Sequence, residues 1–146
     1  MITDAQAREQ ERKVIYPKTI KNAVIERLTK ERKKISDELA ELENKHKKAR
    51  ISSSKEVGKN HMADLDFFYS NNLALLEKEI GNRKKRLQKI RKALLRLSGG
   101  RYGICEKCDQ DIGIARLTAI PWADKCTPCK EAKNKRERAA ARIYAH

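Results

Sequence analysis

The chain has 146 residues, of which 38% are charged and only 5% are aromatic, a composition that suits one compact module with extended helices and excludes a large round core. No apolar run approaches the roughly 20 residues that a membrane-spanning helix needs. The formal net charge is +15, from 35 Lys and Arg against 20 Asp and Glu, which favours a polyanionic partner, either nucleic acid or an acidic protein surface. A solvated coil is the plainer explanation of the same charge.

Residues 1–17 are predicted to form an N-terminal extension. Thr3 and Gln6 have the spacing of a capping box, which is compatible with a short helix. Pro17 is expected to end that helix, because proline lacks an N–H donor and disfavours helix in the residue before it. The segment has no apolar core of a secretory signal, so we expect a cytoplasmic protein in a reducing environment.

Two heptad patterns follow, each typical of a long helix with one apolar seam. The first helix is expected to end at about Arg50. The second is expected to begin near Asn60, its predicted N-cap, and to stop at Gly99 and Gly100. The first seam consists of Ile20, Val24, Leu28, Ile35, Leu39, Leu42, His46 and Ala49. The second consists of Tyr69, Leu73, Leu76, Ile80, Arg83, Leu87, Ile90, Leu94 and Leu97.

The connector between the helices, residues 51–60, is short, which favours an antiparallel pair within one chain. We therefore predict a coiled-coil hairpin over residues 18–98, with its tip near residues 51–66, in a monomeric protein. Two helices that each pair with another chain remain the alternative, since heptads alone do not distinguish the two arrangements.

Four cysteines after the second helix predict one zinc site within residues 99–130. Cys105 and Cys108 form one C-x2-C pair, and Cys126 and Cys129 form a second pair after seventeen intervening residues. This is the spacing of a tetrahedral structural zinc site, in which four thiolates leave no coordination position for water or substrate. Two disulfides are the alternative, which a reducing environment disfavours.

Apolar side chains around the cysteines are expected to pack into a small cluster beside the metal. They are Ile112, Ile114, Leu117, Ile120 and Trp122. Pro128 is expected to open a last helix, from Cys129 to about Ile143, so that residues 131–146 form a C-terminal helix and tail. The predicted fold class is mainly α: a long antiparallel coiled-coil hairpin, a small four-cysteine zinc finger and a C-terminal helix.

The charges are unevenly distributed along this fold. Residues 77–101 carry ten basic and two acidic side chains, and residues 130–146 carry six and two, whereas residues 51–70 carry two and three. The predicted hairpin therefore has a basic shaft and a mildly acidic tip that includes Asp64 and Asp66. Acids in the first turns of a helix also interact favourably with the helix dipole, and this is the simpler explanation of both aspartates.

Ten further positions around the cysteines carry a specific pattern: Tyr102, Gly103, Ile112, Gly113, Arg116, Leu117, Ala119, Pro121, Ala123 and Asp124. With the cysteines, this pattern resembles the zinc finger of the DksA/TraR family. Upstream, the run from Asn60 to Asp64 resembles the coiled-coil tip of members with an Asn-His-x-Ala-Asp motif. The resemblance covers about residues 18–140.

The resemblance implies a regulator of transcription without enzyme activity. Such proteins bind bacterial RNA polymerase, insert the hairpin tip into its secondary channel and alter the stability of promoter complexes. Asp64 and Asp66 would then be tip residues near the polymerase active centre. The family tip commonly reads Asp-x-x-Asp-x-Ala: Asp64 fits the second aspartate, but His61 stands at the first and Asp66 at the alanine.

The resemblance also bears on the alarmone ppGpp. Members that contact it have basic residues on the second helix, in the finger and just after the last cysteine. Lys89 and Lys130 fit as alarmone or polyanion contacts, whereas Ile120 stands where those members have arginine, which argues against a ppGpp response. The high net charge suggests an added, weak contact with DNA.

Three other functions compete with this one. The first is a basic zinc-ribbon nucleic-acid-binding protein without polymerase contact, against which stands the lack of aromatic residues interleaved with the basic ones. The second is a scaffold that dimerises through its heptads. An enzyme is least favoured, because the sequence has no open metal site, glycine-rich phosphate loop or nucleophile motif.

Overall fold

The computed structural model describes the backbone of residues 18–56 and 63–145, and the side chains of residues 20–54 and 67–145. Four helices lie within these ranges: α1 (Lys18–Glu56), α2 (Ala63–Ser98), α3 (Ile114–Ala119) and α4 (Thr127–Tyr144). The described backbone contains no strand, although Ile104 and Asp111 form one isolated antiparallel bridge. The predicted N-terminal extension lies outside the described residues, as do Asn60 and His61. Among the described helices, none combines the length and apolar character of a membrane span.

The prediction that α1 ends at about Arg50 was wrong, because the helix continues to Glu56. Ser53 and Ser54 lie within this extra length, and their hydroxyls donate hydrogen bonds to the carbonyls of Arg50 and Ile51, each at 2.9 Å. A serine whose hydroxyl bonds to a carbonyl of the preceding turn can remain in a helix, although such a bond slightly destabilises the helix. The helix thus accommodates the serines at the start of the predicted connector.

The heptad seams are confirmed by burial. Every predicted seam residue of α2 is buried or half-buried, whereas its off-seam leucines Leu75 and Leu95 are 61% and 71% exposed. On α1, Leu28 and Ile35 are completely buried, and only Ile20 at the start of the seam is exposed. The period of the apolar residues therefore identifies the packed face of both helices.

Residues Lys30–Gln88 form one compact unit, called the hairpin unit below. Within it, three side-chain contacts join α1 to α2. Glu38 and Glu43 contact adjacent residues of α2, and His46, further along α1, contacts a residue six positions before Arg83, so the two helices are antiparallel. The bridging pairs are Glu38–Arg83 at 2.9 Å, Glu43–Lys84 at 3.2 Å and His46–Glu77 at 3.2 Å. This confirms the antiparallel arrangement that the short connector predicted.

Of the residues that the structure describes, 18–29 and 89–145 form the second compact unit, called the finger unit. Its buried residues come from α1, α2 and the finger: Leu28, Ile90, Ala93, Leu97, Tyr102, Ile104, Cys105, Ile112, Leu117, Pro121, Ala123 and Cys126. The Tyr102 hydroxyl donates a buried hydrogen bond to the Pro121 carbonyl at 2.8 Å. This buried bond ties the start of the finger to its middle.

The predicted apolar cluster of the finger is correct in part. Ile112 and Leu117 are buried, and Ile120 and Trp122 are half-buried, but Ile114 is 81% exposed. Ile114 is the first residue of the six-residue helix α3, which the sequence did not predict, and that position turns its side chain away from the core.

The end of α2 follows the predicted glycine stop. Gly100 has a φ of 71°, in the left-handed region that glycine adopts without strain. The Arg101 N–H donates to the Arg96 carbonyl at 2.9 Å, and the Gly100 N–H donates to the Leu97 carbonyl at 3.3 Å. These two bonds form a Schellman motif, which ends the helix at Ser98 and directs the chain into the finger.

Candidate metal centre and neighbouring charged groups

The first cysteine pair lies on a tight loop closed by backbone hydrogen bonds. The Ile112 N–H donates to the Gly103 carbonyl at 2.8 Å, and the Cys105 N–H donates to the Gln110 carbonyl at 2.8 Å. Gly103 has a φ of 84°, which favours glycine at that turn. The loop thereby directs the Cys105 and Cys108 side chains to the same side.

The second pair lies at the start of α4. Cys126 is the N-cap residue, Pro128 follows in the first turn, and the Lys130 N–H donates to the Cys126 carbonyl at 3.0 Å. Proline suits this position because its missing N–H would have no helical partner there. The helix therefore holds Cys129 one turn from Cys126, and the predicted last helix is confirmed with two residues added at its start.

Two contacts hold the pairs together. The Glu106 N–H, inside the first pair, donates to the Asp124 carbonyl at 2.9 Å, just before the second pair. The Arg116 side chain on α3 donates from Nε to the Lys125 carbonyl at 2.9 Å. In addition, the Arg96 guanidinium donates to the Ile104 carbonyl, which fixes the finger to the last turn of α2.

The four cysteine sulfurs converge on one point. All four Sγ atoms lie within 4.8 Å of one another, and those of Cys108 and Cys126 are 3.6 Å apart. A tetrahedral site with Zn–S bonds of about 2.3 Å has sulfur–sulfur distances of about 3.8 Å, so the cluster fits zinc. All four cysteines are free thiols, so the alternative of two disulfides is wrong. The residues present support a structural zinc ion held by the four thiolates.

The thiols differ in acidity before a cation binds. Burial raises the pKa of Cys105, but backbone N–H groups directed at its sulfur outweigh burial and hold the pKa at about 6. One of these donors is the Lys107 N–H, at 3.5 Å. Hydrogen bonding to Cys126 and burial raise the pKa of Cys129 to about 12. Cys105 is thus the first of the four cysteines to lose its proton as the pH rises, whereas a divalent cation must displace the proton of Cys129 when it binds.

Lysines crowd the surface beside the metal centre. Burial lowers the pKa of Lys89, and the positive charges of Lys130, Lys133 and Lys125 lower it further, against the attraction of Asp124. We call these four lysines the basic cluster. Lys89 and Lys130, which the sequence predicted as polyanion contacts, are therefore close enough to repel each other. A bound anion would relieve that repulsion.

Asp124 is the carboxylate whose negative charge attracts Lys89. Burial raises its pKa, but the hydrogen bond from Lys125 at 2.9 Å and the charge of Lys89 keep the pKa below its ordinary value. The same hydrogen bond raises the pKa of Lys125. Asp124 and Lys125 therefore satisfy each other, and Lys133 pairs with Glu137 at 3.5 Å, which leaves Lys89 and Lys130 as the cations of the basic cluster available to a ligand.

The predicted tip residues Asp64 and Asp66 lie in the first turn of α2, but their side chains fall outside the described residues. The next two side chains are aromatic and exposed, Phe67 by 71% and Phe68 by 58%. The Phe68 and Tyr69 rings meet edge to face, with centroids 6.1 Å apart. The exposure of Phe67 and Phe68 was not predicted from the sequence. The available signal was that both residues lie just before the seam residue Tyr69 and off the heptad seam.

An apolar groove in the finger unit was also missed. It has a volume of about 200 Å³ and lies between the start of α1 and the finger. Its lining residues are Ile20, Val24, Arg27, Tyr102, Ile114, Leu117, Thr118 and Pro121. The sequence offered no signal for this groove, since Ile114, which lines it, was expected to pack in the finger core.

Comparisons with known proteins agree with this geometry. Residues 100–135 match the family model described as the prokaryotic dksA/traR C4-type zinc finger. The RNA polymerase-binding transcription factor DksA of Escherichia coli K12 is 41% identical over 66 residues, which are 43% of this chain and 44% of the relative. An uncharacterized protein of Aquifex aeolicus is 47% identical over 45 residues, or 31% of each chain. The chain thus matches less than half the length of these curated relatives.

A likeness of fold extends further than the likeness of sequence. The structure of transcription factor DksA2 from Pseudomonas aeruginosa matches with a TM-score of 0.63 and 26% identity, covering 81% of this chain and 85% of that one. Two long paired helices and a four-cysteine finger place the chain in the class of helical-hairpin zinc-finger proteins. The finger thus matches the dksA/traR C4-type zinc finger, and the fold is similar to that of DksA2, in agreement with the resemblance seen in the sequence.

Proposed function

We propose that this protein binds bacterial RNA polymerase in the cytoplasm, inserts its coiled-coil tip into the secondary channel and alters the stability of promoter complexes. The observation that carries the proposal is the likeness of fold to DksA2, which covers 81% of the chain and so includes helices as well as finger. DksA of Escherichia coli, the relative in sequence, is a polymerase-binding transcription factor. In this role the protein acts by contact and catalyses no reaction.

The helices support the proposal by their length. α1 has 39 residues and α2 has 36, and at 1.5 Å per residue they extend about 58 Å and 54 Å. A pair of helices about 20 Å across can enter a channel that excludes a globular domain. The exposed Phe67 and Phe68 near the start of α2 supply apolar contacts for such an insertion.

Asp64 and Asp66 are proposed to act close to the polymerase active centre. Carboxylates bind divalent cations and basic side chains, both of which a phosphoryl-transfer centre contains. Asp64 fits the second aspartate of the family tip, and we assign it the main effect. Asp66 replaces the family alanine, so Asp66→Ala is expected to strengthen the effect on promoter complexes.

Lys89 and Lys130 are proposed to contact an anionic group of the polymerase or an anionic regulator. The mutual repulsion within the basic cluster supports this role, because an anion there would be bound by several cations at once. For ppGpp, the half-buried Ile120 is the unfavourable feature, since it cannot supply the charge of an arginine. Lys89→Gln should therefore weaken polymerase binding equally with and without ppGpp.

Photo-crosslinking to purified core polymerase tests the proposal. A photoreactive amino acid at Phe68 should crosslink to segments that line the secondary channel. The same group at Tyr144, which is 89% exposed at the end of α4, is the matched control and should not reach them. The proposal fails if the protein does not bind core polymerase, or if Phe68 crosslinks only outside the channel.

A further inference from the structure

Helix α4 is unusual because it has no buried face. It has 18 residues and none is buried. From residue 131 to residue 145 every residue is exposed except Asn134, which is half-exposed. A helix without a buried face gains little from packing, so its side chains are available to solvent or to a partner.

The cations of α4 are only partly neutralised. Lys133 forms an ion pair with Glu137 at 3.5 Å. Lys135, Arg138 and Arg142 follow one another at steps of three and four, so they share another face over about 10 Å. No ion pair joins these three to any residue in the described part of the chain. We call them the α4 stripe.

The rest of α4 offers little apolar surface along its length. Its exposed uncharged positions include the short side chains of Ala132, Ala139, Ala140 and Ala141, and large apolar side chains appear only at its end, as Ile143 and Tyr144. Protein interfaces usually depend on large buried anchors, which the middle of this helix does not have. Phosphate recognition needs only well-placed cations, and short neighbours allow the helix backbone to come close.

We propose that the α4 stripe binds the sugar–phosphate backbone of duplex nucleic acid without reading base sequence. Arginine donates paired hydrogen bonds to phosphate oxygens, and each neutralised phosphate releases counterions. From Lys135 to Arg142 the helix has no aromatic residue, which agrees with a backbone contact rather than base stacking. The net charge of +15 gives the whole chain an attraction for the duplex, and the stripe localises it. The proposal does not depend on polymerase binding.

Fluorescence anisotropy with zinc-loaded full-length protein and short DNA duplexes tests the proposal. The variant K135Q/R138Q/R142Q removes the stripe. The control K33Q/K47Q/K48Q removes the same charge from exposed positions of α1. Titrations between about 50 and 200 mM salt give the dependence of log K on log salt, whose slope is about 0.9 per phosphate contact. Removing the stripe should reduce that slope by about 2.7, whereas the control should reduce it by less than about 1.

Two further comparisons sharpen the result. The charge-conserving variant R138K/R142K should keep most of the slope, and two duplexes of unrelated sequence should bind equally. Circular dichroism and zinc content should be unchanged in all variants, because every substituted side chain is exposed. The proposal is overturned if the parent does not bind duplex, if the α1 control loses as much as the stripe variant, or if the stripe variant loses polymerase binding alone.

Discussion

The finger unit and the hairpin unit are stabilised in different ways. The finger unit has a concentrated interior, in which buried side chains from α1, α2 and the finger surround two buried cysteines. Among the side chains that the structure describes in the hairpin unit, only Ile35 and Leu87 are buried, and the other seam residues are half-buried. The first unit depends on one shared centre, whereas the second distributes its stability along a seam. A single substitution should therefore have very different effects in the two units.

The largest effect is expected from Cys108→Ser. Structural zinc contributes on the order of 10 kcal/mol to the folding of small modules, and three thiolates hold it far less well than four. Zinc should be lost and residues 101–130 should unfold, while most helical circular dichroism remains because the α1 and α2 seams are intact. Elemental analysis and Trp122 fluorescence report on the finger.

Lys107→Ser is the matched control for this experiment, because it changes an exposed residue inside the same C-x2-C loop. It should keep zinc and fold normally. Full zinc occupancy in Cys108→Ser would contradict the assigned metal centre. Loss of all helix signal in that variant would show that the hairpin unit also depends on the metal.

The next effect is expected from Leu87→Asp in the hairpin unit. Leu87 is 7% exposed, so the substitution buries an unpaired carboxylate and should cost about 3–5 kcal/mol. Leu75→Asp, at a position of the same helix that is 61% exposed, should cost little. Thermal melting by circular dichroism compares the two variants. Equal melting temperatures would mean that the seam is assigned to the wrong face.

The smallest effect is expected from Glu38→Gln. The Glu38 carboxylate lies 2.9 Å from Arg83 Nε, and both side chains are about one-third exposed. Water screens such a pair, so its loss should cost less than about 1 kcal/mol. Glu41→Gln, which breaks the more exposed pair with Lys45, should cost less still. A much larger loss for Glu38→Gln would mean that Arg83 is a buried charge that depends on its partner.

The elements that the sequence predicted well are those with repeated local signals. The seams repeat every seven residues, and Gly99 and Gly100 mark the end of α2. The spacing of the C-x2-C pairs identifies the four metal ligands. Each signal is contained within a few turns of chain. Contacts made on folding therefore agree with these local signals rather than overriding them.

Features that depend on contacts between distant segments were not predictable. The helix α3 begins after Gly113 and is fixed by the Arg116–Lys125 hydrogen bond, which exists only once the finger is closed. The exposure of Ile114 follows from that helix. Likewise, the sequence suggested Lys89 and Lys130 singly, but their grouping with Lys125 and Lys133 required the folded finger unit.

The proposed function assigns binding and effect to different parts of the protein. Polymerase binding should depend mainly on the helices and the finger, whereas the effect on transcription should depend on the tip. Asp64 lies in the first turn of α2, where loss of a carboxylate costs the fold less than about 1 kcal/mol. Asp64→Asn should therefore separate the two properties without unfolding the protein.

The lifetime of promoter complexes with purified bacterial RNA polymerase, measured at saturating protein, tests this claim most directly. The parent and the control Asp37→Asn, an exposed aspartate on α1, should change the lifetime to the same extent. Asp64→Asn should bind polymerase as the parent does and leave the lifetime at its value without protein. The account is contradicted if Asp64→Asn acts like the parent, or if the parent neither binds polymerase nor changes the lifetime.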